Sequence, residues 1–316
     1  ILRDLGKLEE AEISLRKAVQ LNPDFANAYS NLGSVLRDLG KLDEAEIHTR
    51  KSIQLDPSLS VAYFNLGSIL RDLGKLKEAE IQTRKSIELN PNFAMAYSNL
   101  GSMLRDFGRL EEAEIEIRKA IKLDPFLSVA YSNLGSLLRD SGRLKEAEIQ
   151  TRKAIQIEPS LSMAQFNLGT ILYEIDQSEL ALDCYLKVIS VNTNESQIYQ
   201  SISELLRMVD LSKLDKSKLN FFLNHLLEKD NISHHDLFHL FNYLYKKELK
   251  DLLTTKKNSS NIDYLENNKI IRKAFKKIIF RDKELEKLLT KFRKDICQNI
   301  KNNENTDNYD FQLIIS

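Results

Sequence analysis

Tryptophan is absent, and cysteine nearly so: Cys184 and Cys297 are the only two in 316 residues. Two thiols cannot build a disulfide framework and fit a reducing compartment, so a cytoplasmic location is expected. No apolar run approaches the roughly 20 residues that span a bilayer, so no membrane partner is expected. No secretory signal is visible either. Neither sign of charge dominates, with 46 Lys and Arg against 46 Asp and Glu, so the overall charge selects no class of partner. Its distribution is less even: residues 211–301 hold 21 basic against 12 acidic side chains.

Proline and glycine are scarce, and what there is stands in register. All five prolines (Pro23, Pro57, Pro91, Pro125, Pro159) fall 34 residues apart. The ten glycines fall on two such positions, the series of Gly33 and the series of Gly40, and residues 170–316 contain neither glycine nor proline. Residues 31–45 return as 65–79, 99–113 and 133–147, with a partial copy at 1–11 and a decayed one at 167–181. A fixed period of this length marks a stack of supersecondary units, each burying its apolar face on the next.

Each unit reads as helix, Gly turn, helix, Asx-Pro or Glu-Pro turn. The Gly40 series stands where a helix C-terminus wants positive φ. The Pro57 series cannot continue a helix and moves the residue before it out of the helical region. A first helix over about 26–39 places Tyr29, Leu32, Gly33 and Leu36 on one face, and a second over 42–55 places Ala45, Thr49, Ser52 and Ile53 toward its neighbours. The glycines form neither a dinucleotide fingerprint nor a phosphate-binding loop.

This pattern closely resembles the tetratricopeptide repeat, whose large aromatic, Leu, Gly, second large residue, Gly, Ala and Pro are met by Tyr29, Leu32, Gly33, Leu36, Gly40, Ala45 and Pro57. The resemblance covers roughly 1–195. It implies an all-α, right-handed superhelical solenoid of helix-turn-helix repeats, here followed by a small α-helical domain. Two departures stand out. The aromatic usual late in the second helix is Thr49, Thr83, Ile117 and Thr151, and the fifth full unit has Asp176 for the turn Gly and Thr193 for the Pro. The expected organisation is a solenoid over 1–209: a partial unit 1–25, full units 26–59, 60–93, 94–127 and 128–161, a degenerate unit 162–195 and a capping helix 196–209. A helical domain over 210–302 follows, and then 303–316 as linker or the start of a further domain. Helices are expected near 216–229, 234–253, 262–279 and 283–300, with Ser233 opening a capping box and Asp282 capping the last. The start at Ile1 within a unit and the apolar end suggest an internal piece of a longer, bacterial protein.

Stacking turns each repeat position into a row. Asn31, Asn65, Asn99, Asn133 and Asn167 form one row on the first helices, and a side-chain amide can bridge the N–H and C=O of an extended backbone. Protein O-linked N-acetylglucosamine transferases are similar in carrying an asparagine row within their superhelix, which implies peptide binding here. The same face carries Ser34 and its repeats; Arg37, Arg71, Arg105 and Arg139; Asp38, Asp72, Asp106 and Asp140; the aromatic anchors Phe64 and Phe166; and Val61, Met95, Val129 and Met163. The alternative gives the same side chains a scaffold role, with the amides bonding inside the repeat and Arg pairing with Asp of a neighbouring unit.

His235 and His239 have metalloprotease spacing but carry Asp236 where the base would be Glu, and they lie opposite Leu237, Leu240, Phe241 and Leu244, so no metal and no cofactor are expected. Cys184 and Cys297 lack a nearby His and read as packing residues. Pairs such as Glu44 and Glu46 lie on the second helices with Arg50 and Lys51 a turn further on, which is surface ion pairing rather than acid–base chemistry. Lys269, Arg272, Lys273, Lys276 and Lys277 form the solvated face of an amphipathic helix opposite Ile270, Ile271, Ala274, Ile278 and Ile279; no aromatics interleave, which argues against nucleic acid.

The expected function is therefore non-enzymatic: a protein–protein interaction scaffold that holds an extended polypeptide in its concave groove. The alternative is the substrate-recruiting or linking part of a bacterial methyl- or glycosyltransferase with catalysis encoded downstream. Residues 282–293 resemble a segment between tetratricopeptide arrays and such domains.

Overall fold

The computed structural model describes residues 6–190, 196–229, 234–254, 264–265, 267–278 and 282–302. They fold as helices without strands and divide into two compact units, Ile1–Ile175 and Asp176–Ser316. The split falls within the stretch that periodicity assigns to the fifth repeat. The expected capping box at Ser233 and the expected linker at 303–316 lie outside the described residues, and no described helix is long and apolar enough to cross a membrane.

The first unit holds α1 (Leu8–Leu21), α2 (Ala26–Asp38), α3 (Leu42–Leu55), α4 (Ser60–Asp72), α5 (Leu76–Leu89), α6 (Ala94–Asp106), α7 (Leu110–Leu123), α8 (Ser128–Asp140), α9 (Leu144–Ile157) and α10 (Ser162–Glu174). The turn after α2 shows why the punctuation works. Gly40 sits at φ 74°, its N–H donating to the Arg37 carbonyl at 2.9 Å, while Lys41 N–H donates to Leu36 O at 2.9 Å. This pair of bonds satisfies carbonyls that the helix end would otherwise leave open, and the bonds recur in the next three copies.

Packing follows from the small residues. Gly33 lies so close to α3 that a Cβ there would meet Thr49 Oγ1 at 2.0 Å and the Ala45 carbonyl at 3.1 Å. The missing family aromatic is thus replaced by a short side chain wedged on glycine. Each second helix packs on the first helix of its own unit and of the next, while α2, α4, α6, α8 and α10 touch one another along the stack. The layer of first helices is accordingly the inner one. Apolar clusters bridge units, Leu32, Leu36 and Ala45 packing with Ile69, and Leu66, Leu70 and Ala79 with Met103, so the core runs continuously along the array.

The second unit holds α11 (Ser178–Ser190), α12 (Ser196–Met208), a short 3-10 turn Leu211–Lys213, α13 (Lys216–Leu227), a second 3-10 turn His234–Leu237, α14 (Phe238–Thr254), α15 (Lys269–Lys277) and α16 (Lys283–Asn302). Phe222, Leu226, Phe241, Leu249, Ile271 and Leu285 are fully buried in its core. Asp282 caps α16 as the sequence suggests, accepting from Glu284 and Leu285 N–H, each at 3.1 Å. Two expectations change. The helix expected from 234 opens as a 3-10 turn, and the one expected over 262–279 restarts at Asn268. Its backbone is extended there, and its side chain accepts from the Ile270 and Ile271 amides, so Asn268 begins a new helix rather than extending an old one.

Candidate functional site

The inner face of the first unit gathers the predicted rows, and its hydrogen bonds show how they are used. Asn65 Nδ2 donates to Ser30 Oγ at 3.0 Å, Asn133 to Ser98 Oγ at 3.0 Å and Asn167 to Ser132 Oγ at 3.0 Å. Each bond ties a first helix to the one before it. Asn99 cannot follow, because Phe64 stands where the preceding unit would offer the serine; it donates instead to Ser68 Oγ, also at 3.0 Å. Asn31 is exposed, Asn65, Asn99 and Asn133 are half-buried and Asn167 is buried.

The charged rows also join neighbouring repeats. Arg37 Nε reaches Asp72 at 2.5 Å, Arg71 reaches Asp106 at 2.9 Å and Arg105 reaches Asp140 at 3.6 Å. Arg139 bonds Asp140 at 2.8 Å and approaches Glu174 at 3.8 Å. These side chains are engaged along the stack, so they are less available to a ligand than their position alone implies. Phe64 is half-buried against Phe93, ring centroids 5.0 Å apart, and Phe166 is half-buried. Val61, Met95 and Met163 stay exposed beside the asparagines. Asp38 and its repeats stand exposed at the helix ends.

The outer helices carry a second ladder that sequence reasoning placed only as pairs within a helix. Glu46 accepts from its own Arg50 at 2.8 Å and from Lys75 of the next unit at 2.8 Å; Glu80 does the same with Arg84 and Arg109, and Glu114 with Arg118 and Arg143. The Lys75 ammonium, aided by Arg50, holds the Glu46 carboxyl below its usual range; for Glu114 burial opposes, and Arg118 and Arg143 outweigh it. The 29-residue separation could be found in the sequence only once the stacking direction was known.

The remaining candidates are dispersed. Cys184 is buried in α11 and forms no disulfide, and the Cys297 side chain lies outside the described residues. His239 is exposed on α14, the His235 side chain lies outside the described residues, and no metal-holding group of three or more His, Cys, Asp or Glu gathers among the described residues. On α15 the basic face is partly committed, since Lys273 Nζ donates to Glu228 at 2.6 Å and Asn224 at 3.0 Å.

A stack of two-helix units with polar ladders on its inner wall defines a helical-repeat interaction scaffold. The family comparison makes this specific: models described as TPR repeat match residues 1–40, and models described as tetratricopeptide repeat match 24–92, 83–115, 128–161 and 164–195. The chain belongs to the tetratricopeptide-repeat family. Among solved structures it is similar to the APC/C hetero-tetramer Cut9–Hcn1, at 17% identity and a TM-score of 0.63 over 72% of this chain and 44% of that one. It is also similar to PilF of Pseudomonas aeruginosa, at 18% identity and a TM-score of 0.53 over 72% of this chain and 97% of that one. A thermophilic TPR protein of Thermus thermophilus matches at 18% identity and a TM-score of 0.52, over 57% of this chain and 98% of that one. The chain spans less than half the length of the first of these. At such identities the likeness is one of fold. No curated protein matches the chain.

Proposed function

We propose that the inner face of the first unit binds an extended polypeptide, with Asn31, Asn65, Asn99 and Asn133 gripping its backbone. The observation that carries this is the bond from each amide of Asn65, Asn99 and Asn133 to a serine hydroxyl. It orients the side chain. The amide nitrogens of Asn65 and Asn133 also reach the Ser30 and Ser98 carbonyls at 3.3 and 3.5 Å, and Asn99 Oδ1 accepts from Arg71 at 3.5 Å. Asn65 and Asn133 therefore offer a peptide N–H their Oδ1, while Asn99 offers a peptide carbonyl its second N–H. An amide already held in place loses less freedom on binding. Asn167 is buried and serves the scaffold alone. Val61, Met95 and Met163 supply apolar contacts with little side-chain selectivity.

Each such bond contributes about 0.5–1.5 kcal/mol net, and ordering the peptide offsets much of it, so affinities of about micromolar are expected. The experiment selects displayed random peptides on the purified chain and measures the binding of one by calorimetry. Asn99→Ala with Asn133→Ala is expected to weaken it about tenfold with unchanged helicity. Ser68→Ala with Ser98→Ala keeps both amides while removing their partners, and is expected to weaken binding less. Equal affinity of the asparagine double variant and the wild type would remove the reading.

A further inference from the structure

One row of the first unit has no task inside it. Ile13, Ile47, Ile81, Ile115 and Ile149 stand at the centre of the outward face of the five second helices, and they are 62–69% exposed. Single exposed aliphatics are ordinary; a repeated one is not. Four residues earlier in each helix the sequence reads Glu9, Asp43, Lys77, Glu111 and Lys145, and one residue later Ser14, His48, Gln82, Glu116 and Gln150. The copies have therefore diverged around the isoleucine, even in charge sign, while the isoleucine itself stands in all five. The constant charged neighbours Glu46 and Arg50, by contrast, are used in ion pairs along the stack. The row ends with the full repeats, since α11 has Asp183 in this place.

We infer that this row is an interface through which two copies of the chain pair back to back. Three observations favour a second copy. The face carries both signs of charge at every repeat, with Glu and Arg paired on each helix, so a strongly acidic or basic partner gains nothing there. Five apolar side chains set at the repeat spacing are matched in register by a surface with the same spacing, and a second copy has it. The area suffices as well. A 14-residue helix is about 21 Å long, and second helices, which pack chiefly on first helices, succeed each other at more than the roughly 10 Å of a packed pair, so the layer of five exceeds about 1,000 Å². A standard interface takes roughly 800 Å² from each partner. A two-fold axis crossing the row at Ile81 sets Ile47, Ile81 and Ile115 of one copy against Ile115, Ile81 and Ile47 of the other, a self-complementary contact that closes on itself.

Sedimentation equilibrium of the purified chain tests this. A concentration-dependent dimer is expected, and Ile81→Lys with Ile115→Lys, both at exposed sites, is expected to weaken it about a hundredfold while far-UV circular dichroism stays unchanged. Asn99→Ala with Asn133→Ala, on the opposite face, is expected to leave the dimer intact, which separates this interface from the groove. A wild type that stays monomeric at every concentration overturns the inference, as does a dimer that survives both lysines. Neutral vesicles that bind a monomeric wild type but not the lysine variant would assign the row to lipid and overturn it too.

Discussion

Thr83 carries a hydroxyl that two of its counterparts put to use. Thr49 Oγ1 donates to the Ala45 carbonyl at 2.7 Å and Thr151 Oγ1 to Ala147 at 2.8 Å, whereas the buried Thr83 Oγ1 meets no partner. An unpaired buried hydroxyl costs about 1–3 kcal/mol in protein mutational data. Thr83→Val keeps the shape and removes the group, so it is expected to stabilise the chain by about 1 kcal/mol. Thr49→Val breaks a bond and should not stabilise. Thermal unfolding of the two variants checks this, and a Tm for Thr83→Val at or below that of Thr49→Val would sink it. Histidines show the same dependence on surroundings: burial lowers the pKa of both His48, stacked on Tyr29, and His225, between Tyr199 and Phe221. None of this is written in residue type, because threonine at one repeat position meets different geometry in different copies.

Among elements, the helices of the repeats were legible and the two roles of glycine were separable. The second helix expected over 42–55 is found at Leu42–Leu55, and the first, expected over 26–39, ends one residue earlier. Punctuation is a local signal, so it survives without the tertiary structure. Where it stops, at residue 170, boundaries became harder to read, and Asn268 was missed because an asparagine that caps a helix looks like one that merely interrupts it. The two glycine series fail for different reasons when replaced. A Cβ on Gly101 would meet Ile117 Cγ1 at 2.3 Å and the Ala113 carbonyl at 3.0 Å, so Gly101→Ala overpacks the hairpin and is expected to cost about 1–3 kcal/mol. Gly108 has φ 75° with open space around it, and Asp176 shows the chain accepting a non-glycine at φ 62° in the matching turn. Gly108→Asn should therefore cost less than about 1 kcal/mol. Urea midpoints decide between them, and equal losses would mean that backbone strain rather than space governs both.

For the whole array, the sequence showed the rows and offered the pairing of Arg with Asp of a neighbouring unit, but not the partners of the amides or of the outer carboxylates. Asn65 with Ser30, and Glu46 with Lys75, are joined only by the way one unit sits on the next, and no local pattern encodes that offset. The outer ladder has a pH consequence with a definite sign. Glu46 and Glu114 have folded pKa values below the ordinary 4.5, so the folded state holds their protons less tightly than the unfolded chain does. Their contribution is complete above about pH 4.5 and is lost as pH falls through the lowered values. His48 adds an earlier loss that begins near its ordinary 6.5, because its folded form prefers to be neutral. Nearest-neighbour coupling sets the stability of a repeat array, so losing bridges between units weakens the whole stack. With partly exposed pairs at about 0.2–1 kcal/mol each, the two carboxylates together contribute about 1 kcal/mol. Urea unfolding from pH 6 to pH 3 should show Glu46→Gln with Glu114→Gln less stable than wild type at the upper end, and the two converging at the lower end. A constant gap between the curves across this range would show that the carboxylates act through packing and not through charge.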